Sequence, residues 1–468
     1  MIYPAINYEI RLPTKNWNNK FYMAGCGGFC GRLLSDSKGF TNAMNYGLKR
    51  NYAVSTMDSG HYGQSSTDSR WAYNNRQSEI DWGYRAVHET AVITKLVIES
   101  FYNNKPEKSY FAGCSTGGRM ANMSAYRYPN DFDGIISGAP ALNYTNLVGI
   151  YFTWLTNKNT DDNGNLIINS EEADLVGKKV LETCDEIDGV KDNIIDDTEA
   201  CNFNTETLLC PSYINNPKEE KCLTRKQVDT LNLLYEGPKN SHGEKLTNAR
   251  LMFGSESSWP TWITGPYMSG KPSQFWLPLY GGKKSATHYY SDSFLKYMAF
   301  KEDDKAVDGP LNFDFDRDPA RLKFMGEIYN SDKTNLSAFK KRGGKLLIWH
   351  GLSDTAIPAS SSIAYFDKLA KANGGIEKTQ DFTRLFLMPG TDHCAVLPAH
   401  GIRDNGFDAL TALENWIENH QAPEKLMLTK FKGDGTTDWQ RPSCPYPAKA
   451  KYDGKGDPYS AASFSCIE

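Results

Sequence analysis

The sequence has 468 residues, of which 40% are hydrophobic and 23% charged, with a formal net charge of −4. This composition is typical of a globular protein with one large core or two domains, and it argues against disorder. The longest basic block is residues 340–342, and no run of about 18 apolar residues exists, so neither nucleic acid nor a membrane is an expected partner.

Six short apolar runs predict β-strands, at residues 21–24, 52–56, 110–112, 134–137, 345–350 and 384–388. Residues 79–101 predict the best helix, because apolar side chains recur there at roughly helical spacing and no proline interrupts them. These side chains are Trp82, Ala86, Ile93, Leu96, Val97 and Phe101. Strands that alternate with helices predict an α/β protein with a mostly parallel sheet.

The composition changes between about residues 145 and 335. This stretch is rich in Asn, Asp, Gly, Pro and aromatic residues, and it carries four of the tryptophans and four of the cysteines. It therefore predicts a loop-rich second domain inserted into the α/β protein.

The cysteines form an even set of ten, several of them close together in sequence: Cys26, Cys30, Cys114, Cys184, Cys201, Cys210, Cys222, Cys394, Cys444 and Cys466. An even set predicts structural disulfides and an oxidising compartment, so the protein is expected to be secreted or periplasmic. Zinc is the alternative, because Cys26 and Cys30 have the spacing of half a metal site, and their pairing stays open. Residues 1–20 lack the layout of a signal peptide, so a mature or truncated form is expected.

A G-x-S-x-G motif, from Gly113 to Gly117, follows the third predicted strand and precedes a helical segment. A serine on such a sharp turn exposes its hydroxyl group, and the flanking glycines relieve crowding. The helix N-terminus and the Thr116 N–H would lie beside a developing oxyanion. Ser115 is therefore predicted to be a nucleophile, with an ordinary Gly/Ser-rich turn as the alternative.

A serine nucleophile of this type needs an acid and then a histidine later in the chain, each in a loop after a strand. Asp354 and His393 follow the fifth and sixth predicted strands in that order. His350 lies on a strand and is expected to be buried and hydrogen-bonded. Asp392 is the rival acid, but a direct neighbour in sequence rarely points toward the Nδ1 atom of the histidine. Asp354 is therefore preferred.

A second oxyanion donor is expected from an early loop. Residues 25–31 follow the first predicted strand and contain four glycines, which allow a backbone N–H to approach a substrate. The pattern matches neither a dinucleotide-binding loop nor a P-loop, and a plain glycine turn is the alternative. Gly27 or Gly28 is the predicted donor.

At this level of detail the sequence resembles the tannase and feruloyl esterase family. The resemblance extends over WNNKF at 17–21, GCGGFCG at 25–31, DWGYRAVHET at 81–90, GCSTGGR at 113–119, DFDGIISGAP at 131–140 and FDFDRD at 313–318. The signature of the family is Cys-Ser, Asp and His-Cys, which match Cys114-Ser115, Asp354 and His393-Cys394. The resemblance implies a disulfide between Cys114 and Cys394.

The resemblance also implies a structural calcium site in the loop that Cys184 and Cys201 bracket. The side chains of three aspartates and two backbone carbonyls would supply hard oxygen ligands: Asp185, Asp188 and Asp192 through side chains, and Val190 and Ile194 through carbonyls. An acidic surface loop without a metal is the alternative.

Together these features predict an α/β-hydrolase core at residues 1–144 and 335–468, with a lid at 145–334. The triad predicts serine-dependent ester hydrolysis, and the resemblance implies esters of aromatic acids as substrates, either small or attached to plant polysaccharides and polyphenols. Aromatic residues of the lid are expected in its own core or against the substrate: Tyr151, Phe152, Trp154, Trp259, Trp262 and Trp276. A serine peptidase on the same fold and a catalytically inactive binding domain are the alternatives.

Overall fold

The computed structural model describes residues 5–37, 43–212, 217, 221–266, 284–396, 400–403 and 405–468. Its centre is a seven-stranded sheet in the order β1-β3-β2-β4-β5-β6-β7. The strands are β1 Tyr8–Arg11, β2 Lys20–Ala24, β3 Ala53–Met57, β4 Lys108–Cys114, β5 Gly134–Gly138, β6 Lys345–Gly351 and β7 Thr383–Met388. Strand β1 is antiparallel to β3, and the other pairs are parallel. The six predicted strands are confirmed, whereas β1 was not predicted.

Hydrophobic side chains cover both faces of this sheet. In β6, Leu346 and Ile348 belong to one core cluster, whereas Leu347 and Trp349 belong to another. Successive side chains of a strand point to opposite faces, so a parallel strand buried on both faces consists of a continuous apolar run. This is why these strands are visible in the sequence.

Helices pack on the sheet and occupy much of the segment between β5 and β6. They are α1 Met44–Leu48, α2 Arg76–Ile80, α3 Ala86–Tyr102, α4 Thr116–Arg127, α5 Tyr144–Asn146, α6 Thr153–Lys158, α7 Ser170–Cys184, α8 Arg225–Glu236, α9 Trp259–Trp262, α10 Ala286–Tyr297, α11 Asp318–Arg321, α12 Lys323–Tyr329, α13 Ser337–Lys341, α14 Ala359–Asn373, α15 Ile376–Gln380 and α16 Ala409–Glu418. Two π-helical turns, Asp81–Arg85 and Leu147–Phe152, interrupt the helical segments.

The predicted helix at 79–101 is present in α2, the π-helical turn and α3, but not all of the recurring apolar side chains face the core. Leu96 and Phe101 are 60% and 57% exposed, whereas small and hydroxyl side chains such as Ala91 and Thr94 are buried. The π-helical turn before α3 inserts an extra residue into the helical repeat, which rotates the following residues relative to a regular helix. Hydropathy alone also overlooks a face made of small side chains.

Among the described residues, the segment between β5 and β6 gives no strand to the seven-stranded sheet. The predicted lid boundaries, 145 and 334, stay a prediction. After β7 the chain forms two antiparallel pairs, β8 Leu426–Phe431 with β9 Thr437–Ser443 and β10 Lys449–Tyr452 with β11 Phe464–Ile467. No helix in the described ranges is long and apolar enough to cross a membrane.

All ten cysteines are paired, which confirms the predicted disulfides. The pairs are Cys26–Cys30, Cys114–Cys394, Cys184–Cys201, Cys210–Cys222 and Cys444–Cys466. The open question of Cys26 and Cys30 is thereby answered, since they bond to each other. Five disulfides are compatible with an extracellular protein.

Candidate active site

Ser115 occupies the sharp turn between β4 and α4. Its backbone has φ 64° and ψ −120°, a conformation that residues with a side chain rarely adopt. Two backbone hydrogen bonds hold the turn, from the Ser115 N–H to the Gly138 carbonyl and from the Ala141 N–H to the Ser115 carbonyl. A Cβ atom at Gly113 would lie 2.6 Å from the backbone of Gly117, so strand and helix approach closely only because this residue is glycine. The turn therefore has the geometry of a nucleophile elbow.

Asp354 and His393 follow β6 and β7, and they form a hydrogen bond of 2.7 Å between Oδ2 and Nδ1. Asp354 Oδ1 also accepts the N–H of Ile357 at 2.8 Å. Burial by itself raises the pKa of Asp354, but the charge of His393 and hydrogen bonds from the two nearby histidines outweigh it and lower this pKa. Burial by itself lowers the pKa of His393, but the Asp354 carboxylate outweighs it and raises this pKa above the ordinary histidine value. The pair thus favours an ionised acid beside a basic imidazole.

The two rival residues are held differently from the Asp354–His393 pair. His350 is fully buried on β6, with its ring nitrogens 2.7 Å from Ser362 Oγ and 2.6 Å from the Ile357 carbonyl, as expected for a structural histidine. Its Nε2 atom also lies 3.4 Å from Asp354 Oδ2, a longer contact than the one His393 makes. Asp392 is buried, and burial together with the nearby charge of Asp354 raises its pKa to about 7. His393 Nδ1 donates its hydrogen bond to Asp354, and Asp392, whose raised pKa favours its neutral form, is the poorer candidate for the ionised acid.

The disulfide between Cys114 and Cys394 joins the residue before Ser115 to the residue after His393. These cysteines lie 280 residues apart in sequence, and their Cα atoms are 5.8 Å apart. The bond therefore connects the loop of the candidate nucleophile directly to the loop of the candidate base.

Ser115, Thr116, His393 and Gly28 line one cleft. Gly28 has φ +58°, and a Cβ atom there would lie 2.6 Å from the Ser66 carbonyl oxygen, so the loop requires glycine at this position. Gly27 lies beside it in the turn, and its carbonyl accepts the Cys30 N–H at 3.0 Å. Of the two predicted oxyanion donors, Gly28 is the one that lines the cleft.

Four aromatic side chains line the same cleft: Tyr144, Phe152, Trp262 and Tyr290. The Trp262 ring lies edge-on to the His393 ring, with centroids 5.3 Å apart. Phe152 and Trp262 were among the six aromatic residues that the sequence singled out, whereas the two tyrosines were not. Three of the other four are buried and do not line this cleft: Tyr151, Trp154 and Trp259. The fourth, Trp276, lies outside the described residues.

The acidic loop, residues 184–201, brings several carboxylates close to the buried guanidinium group of Arg441. Asp185 Oδ1 accepts the N–H groups of Asp192 and Ile194, and Asp188 Oδ1 accepts the N–H of Val190. Asp192 Oδ2 is 2.6 Å from the guanidinium of Arg441, a residue of β9.

The predicted calcium ligands fit a calcium ion by the chemistry of their oxygens. Asp188 Oδ2 is buried and has no hydrogen-bond partner in the described structure. No group of three or more His, Cys, Asp or Glu side chains in the described ranges is gathered as a metal site. Calcium at Asp185, Asp188, Val190, Asp192 and Ile194 therefore stays a prediction.

Comparison with known proteins identifies the family. The sequence profile of tannase and feruloyl esterase matches residues 2–467. A mono(2-hydroxyethyl) terephthalate hydrolase from Piscinibacter sakaiensis is 30% identical over 510 residues, covering 99% of this chain and 82% of the relative. A probable feruloyl esterase B-1 from Aspergillus fumigatus is 32% identical over 460 residues, covering 94% and 81%.

The crystal structure of feruloyl esterase B from Aspergillus oryzae superposes with a TM-score of 0.84 at 27% identity, covering 99% of this chain and 88% of that structure. The resemblance noted in the sequence and the predicted fold are thereby confirmed. This chain belongs to the tannase and feruloyl esterase family of carboxylic ester hydrolases, with the α/β-hydrolase fold.

Proposed function

We propose that the protein hydrolyses carboxylic esters of aromatic acids, with Ser115 as nucleophile, His393 as general base and Asp354 as the acid that orients it. One observation carries the proposal. The 2.7 Å hydrogen bond between Asp354 and His393 lies beside a cleft that His393 shares with Ser115, and Ser115 has the backbone of a nucleophile elbow. Each residue type then has the neighbour that acyl transfer requires.

In the first step the His393 Nε2 atom takes the Ser115 proton while Ser115 Oγ attacks the ester carbonyl. The negative charge that develops on the carbonyl oxygen is held by the N–H groups of Thr116 and Gly28. The C–O bond then breaks, and His393 gives its proton to the departing alcohol. Water attacks the acyl-enzyme by the same route and releases the acid and free Ser115.

The aromatic wall of the cleft supports an aromatic acyl group as the preferred substrate. Phe152, Trp262 and Tyr290 offer faces and edges on which a feruloyl, galloyl or terephthaloyl ring can pack. Several relatives are named for esters of such acids. The alcohol part is either small or part of a plant polysaccharide or polyphenol.

Calcium has a structural role in this proposal, held by Asp185, Asp188 and Asp192 with the carbonyls of Val190 and Ile194. When bound, the ion supplies positive charge to a crowded acidic loop, and it takes no part in the reaction. The five disulfides favour an oxidising environment, and we place the protein outside the cytosol, secreted or periplasmic.

A panel of substrates tests the function. Methyl ferulate, methyl gallate, chlorogenate, a terephthalate monoester and a peptide amide should separate into hydrolysed esters and an untouched amide. Turnover of the amide alone would indicate a peptidase, and turnover of none would indicate an inactive binding domain.

Trp262→Leu should lower kcat/KM for methyl ferulate by about 3- to 10-fold, the loss expected for one aromatic contact, and leave kcat/KM for methyl butyrate nearly unaffected. Equal losses for both esters would count against stacking at Trp262.

A further inference from the structure

The glycine loop, residues 25–31, carries the proposed oxyanion donor Gly28, and a disulfide closes most of this loop into a ring. Cys26 and Cys30 bond to each other across the three residues between them. Because both ends of the bond lie within the loop, the disulfide restricts the shape of the loop but does not fix its place in the catalytic cleft. The direction of the Gly28 N–H therefore also depends on contacts with other segments.

A second loop, residues 58–69, supplies such contacts. Its Ser66 carbonyl accepts the Phe29 N–H at 2.8 Å. From the same loop, the Nε2 atom of His61 lies 2.7 Å from the Phe29 carbonyl oxygen. The two peptide groups that follow Gly28 are therefore both held by the second loop.

The His61 side chain is buried and neutral. The residue is 7% exposed, and its ring stacks on the indole of Trp71, with centroids 3.7 Å apart. Burial lowers the pKa of His61 to about 4, so the ring carries no charge at neutral pH. A carbonyl oxygen only accepts hydrogen bonds, so the Nε2 atom carries the hydrogen and donates it to Phe29.

We propose that His61 is a positioning residue for the oxyanion hole. Its hydrogen bond to the Phe29 carbonyl keeps the Gly28 N–H directed at the substrate carbonyl oxygen, where negative charge develops. His61 is not among the described residues that line the catalytic cleft, so it acts on the reaction only through the glycine loop. This inference rests on the proposed function, because it requires an oxyanion beside Gly28.

A displaced donor affects the transition state more than it affects substrate binding. The carbonyl oxygen carries little charge in the bound ester and much more in the tetrahedral intermediate, so the Gly28 N–H stabilises mainly the intermediate. Loss of one oxyanion donor costs about 100- to 1,000-fold in kcat, and a donor that is displaced rather than lost should cost about 10- to 100-fold. KM should change by less than about 3-fold.

Two substitutions separate the hydrogen bond from the packing of the ring. His61→Phe keeps a planar ring that can stack on Trp71 but removes the N–H donor, so kcat for methyl ferulate should fall by about 10- to 100-fold. His61→Gln loses the ring but offers an amide N–H at a similar reach, so kcat should stay within about 3-fold of the unmodified protein. If His61→Phe were the more active of the two, packing rather than hydrogen bonding would be the role of His61, and the proposal would be wrong.

The thionoester of methyl ferulate tests whether the loss concerns the oxyanion. Sulfur in place of the carbonyl oxygen is a weak hydrogen-bond acceptor, so the thionoester gains little from a well-placed Gly28 N–H. The ratio of kcat/KM for the ester to kcat/KM for the thionoester should therefore fall by about 5-fold or more in His61→Phe and stay unchanged in His61→Gln. A loss of folded protein would lower both rates equally and leave this ratio unchanged.

His88→Phe is the matched control. His88 also stacks on an aromatic ring, that of Tyr128 with centroids 4.0 Å apart, but it lies on α3 and forms its hydrogen bond with Asp131. This variant should keep both kcat and the ratio of the two substrates. Thermal unfolding checks that each variant is folded. If His61→Phe does not fold, His61→Asn takes its place, because its amide is one methylene shorter than that of glutamine and does not reach the Phe29 carbonyl.

The unmodified protein separates the two levels of the argument. No hydrolysis of any ester by the unmodified protein would overturn the proposed function and this inference together. An active unmodified protein would leave the proposed function intact, and the variants would then decide the role of His61. An unchanged ratio in His61→Phe, or equal losses of kcat in His61→Phe and His61→Gln, would overturn that role alone.

Discussion

The catalytic loops and the acidic loop 184–201 both bury carboxylates, but they balance the charge differently. Asp354 has an imidazole partner in His393 and a backbone N–H donor, both supplied by the chain itself. In the acidic loop, Arg441 is shared between two aspartates, and burial raises the pKa of Asp188 to about 6. In the proposed mechanism the first region needs no external ion, whereas the second has an excess of negative charge that the proposed calcium ion would neutralise.

The largest effect should follow removal of the nucleophile. Ser115→Ala should lower ester turnover by about 10⁴-fold or more, because no other group can form the acyl-enzyme. Its unfolding temperature should stay near that of the unmodified protein. Ser124→Ala is the matched control and should remain active, because Ser124 is a buried serine of α4, the helix after Ser115, and its hydroxyl group donates to the Met120 carbonyl. Near-normal hydrolysis by Ser115→Ala, or fluorophosphonate labelling at another residue, would remove the assignment.

Removal of the proposed acid, Asp354, should lower turnover almost as much as removal of Ser115, and it should also change the pH dependence of kcat/KM. His393 acts as a base only when neutral, so kcat/KM should fall as the pH drops through the pKa of His393, which the Asp354 carboxylate raises above the ordinary histidine value. Asp354→Asn removes the charge that raises this pKa, so the midpoint should move to lower pH while the rate falls by about 10³- to 10⁴-fold. Asp392→Asn is the comparison. If that variant showed the greater loss and the shifted midpoint, Asp392 would be the acid.

A smaller loss is expected from breaking the Cys114–Cys394 disulfide, which separates the two catalytic loops without removing a reacting group. A displacement of about 1 Å between serine and histidine can cost around 100-fold in rate, so the double alanine variant should lose activity while still folded. The chain-entropy model assigns on the order of 5 kcal/mol to a closure of this length. Removing Cys210–Cys222 in the same way provides the control. Full activity with free thiols at positions 114 and 394, shown by mass spectrometry, would contradict this prediction.

The same two regions show what the sequence could predict. Ser115 and its loop are visible because the elbow is a local requirement on glycine spacing, and Asp354 and His393 are visible because each follows a strongly apolar strand. The choice of Asp354 over Asp392 as the partner of His393 could also be made from the sequence, since Asp392 is adjacent to His393 and a direct neighbour rarely points toward the Nδ1 atom. Most residues of the candidate site could thus be predicted from their immediate neighbours in the sequence.

What the sequence could not predict depends on packing between distant segments. Tyr290 reaches the cleft from α10, which lies far from Ser115 along the chain, and nothing in its neighbourhood distinguishes it from a core tyrosine. Trp154 and Trp259 look like Trp262 in the sequence, yet only Trp262 lines the cleft. The strand β1 was missed because it is short and lies at an edge, where its residues are only partly buried.

The smallest effect concerns the acidic loop, where a cation should change stability without changing chemistry. At free calcium about 100-fold above its dissociation constant, binding would stabilise the fold by about 2.7 kcal/mol, so chelation should lower the unfolding temperature measurably. Activity well below that temperature should be unaffected, because the loop supplies no residue to the catalytic cleft. Asp188→Asn should abolish the calcium-dependent part of the stability, whereas Asp162→Asn, an exposed aspartate outside the loop, should retain it. Protein purified without chelator that contains no calcium by metal analysis, and whose unfolding temperature does not respond to added calcium, would show that Arg441 and the backbone N–H groups are sufficient for this loop.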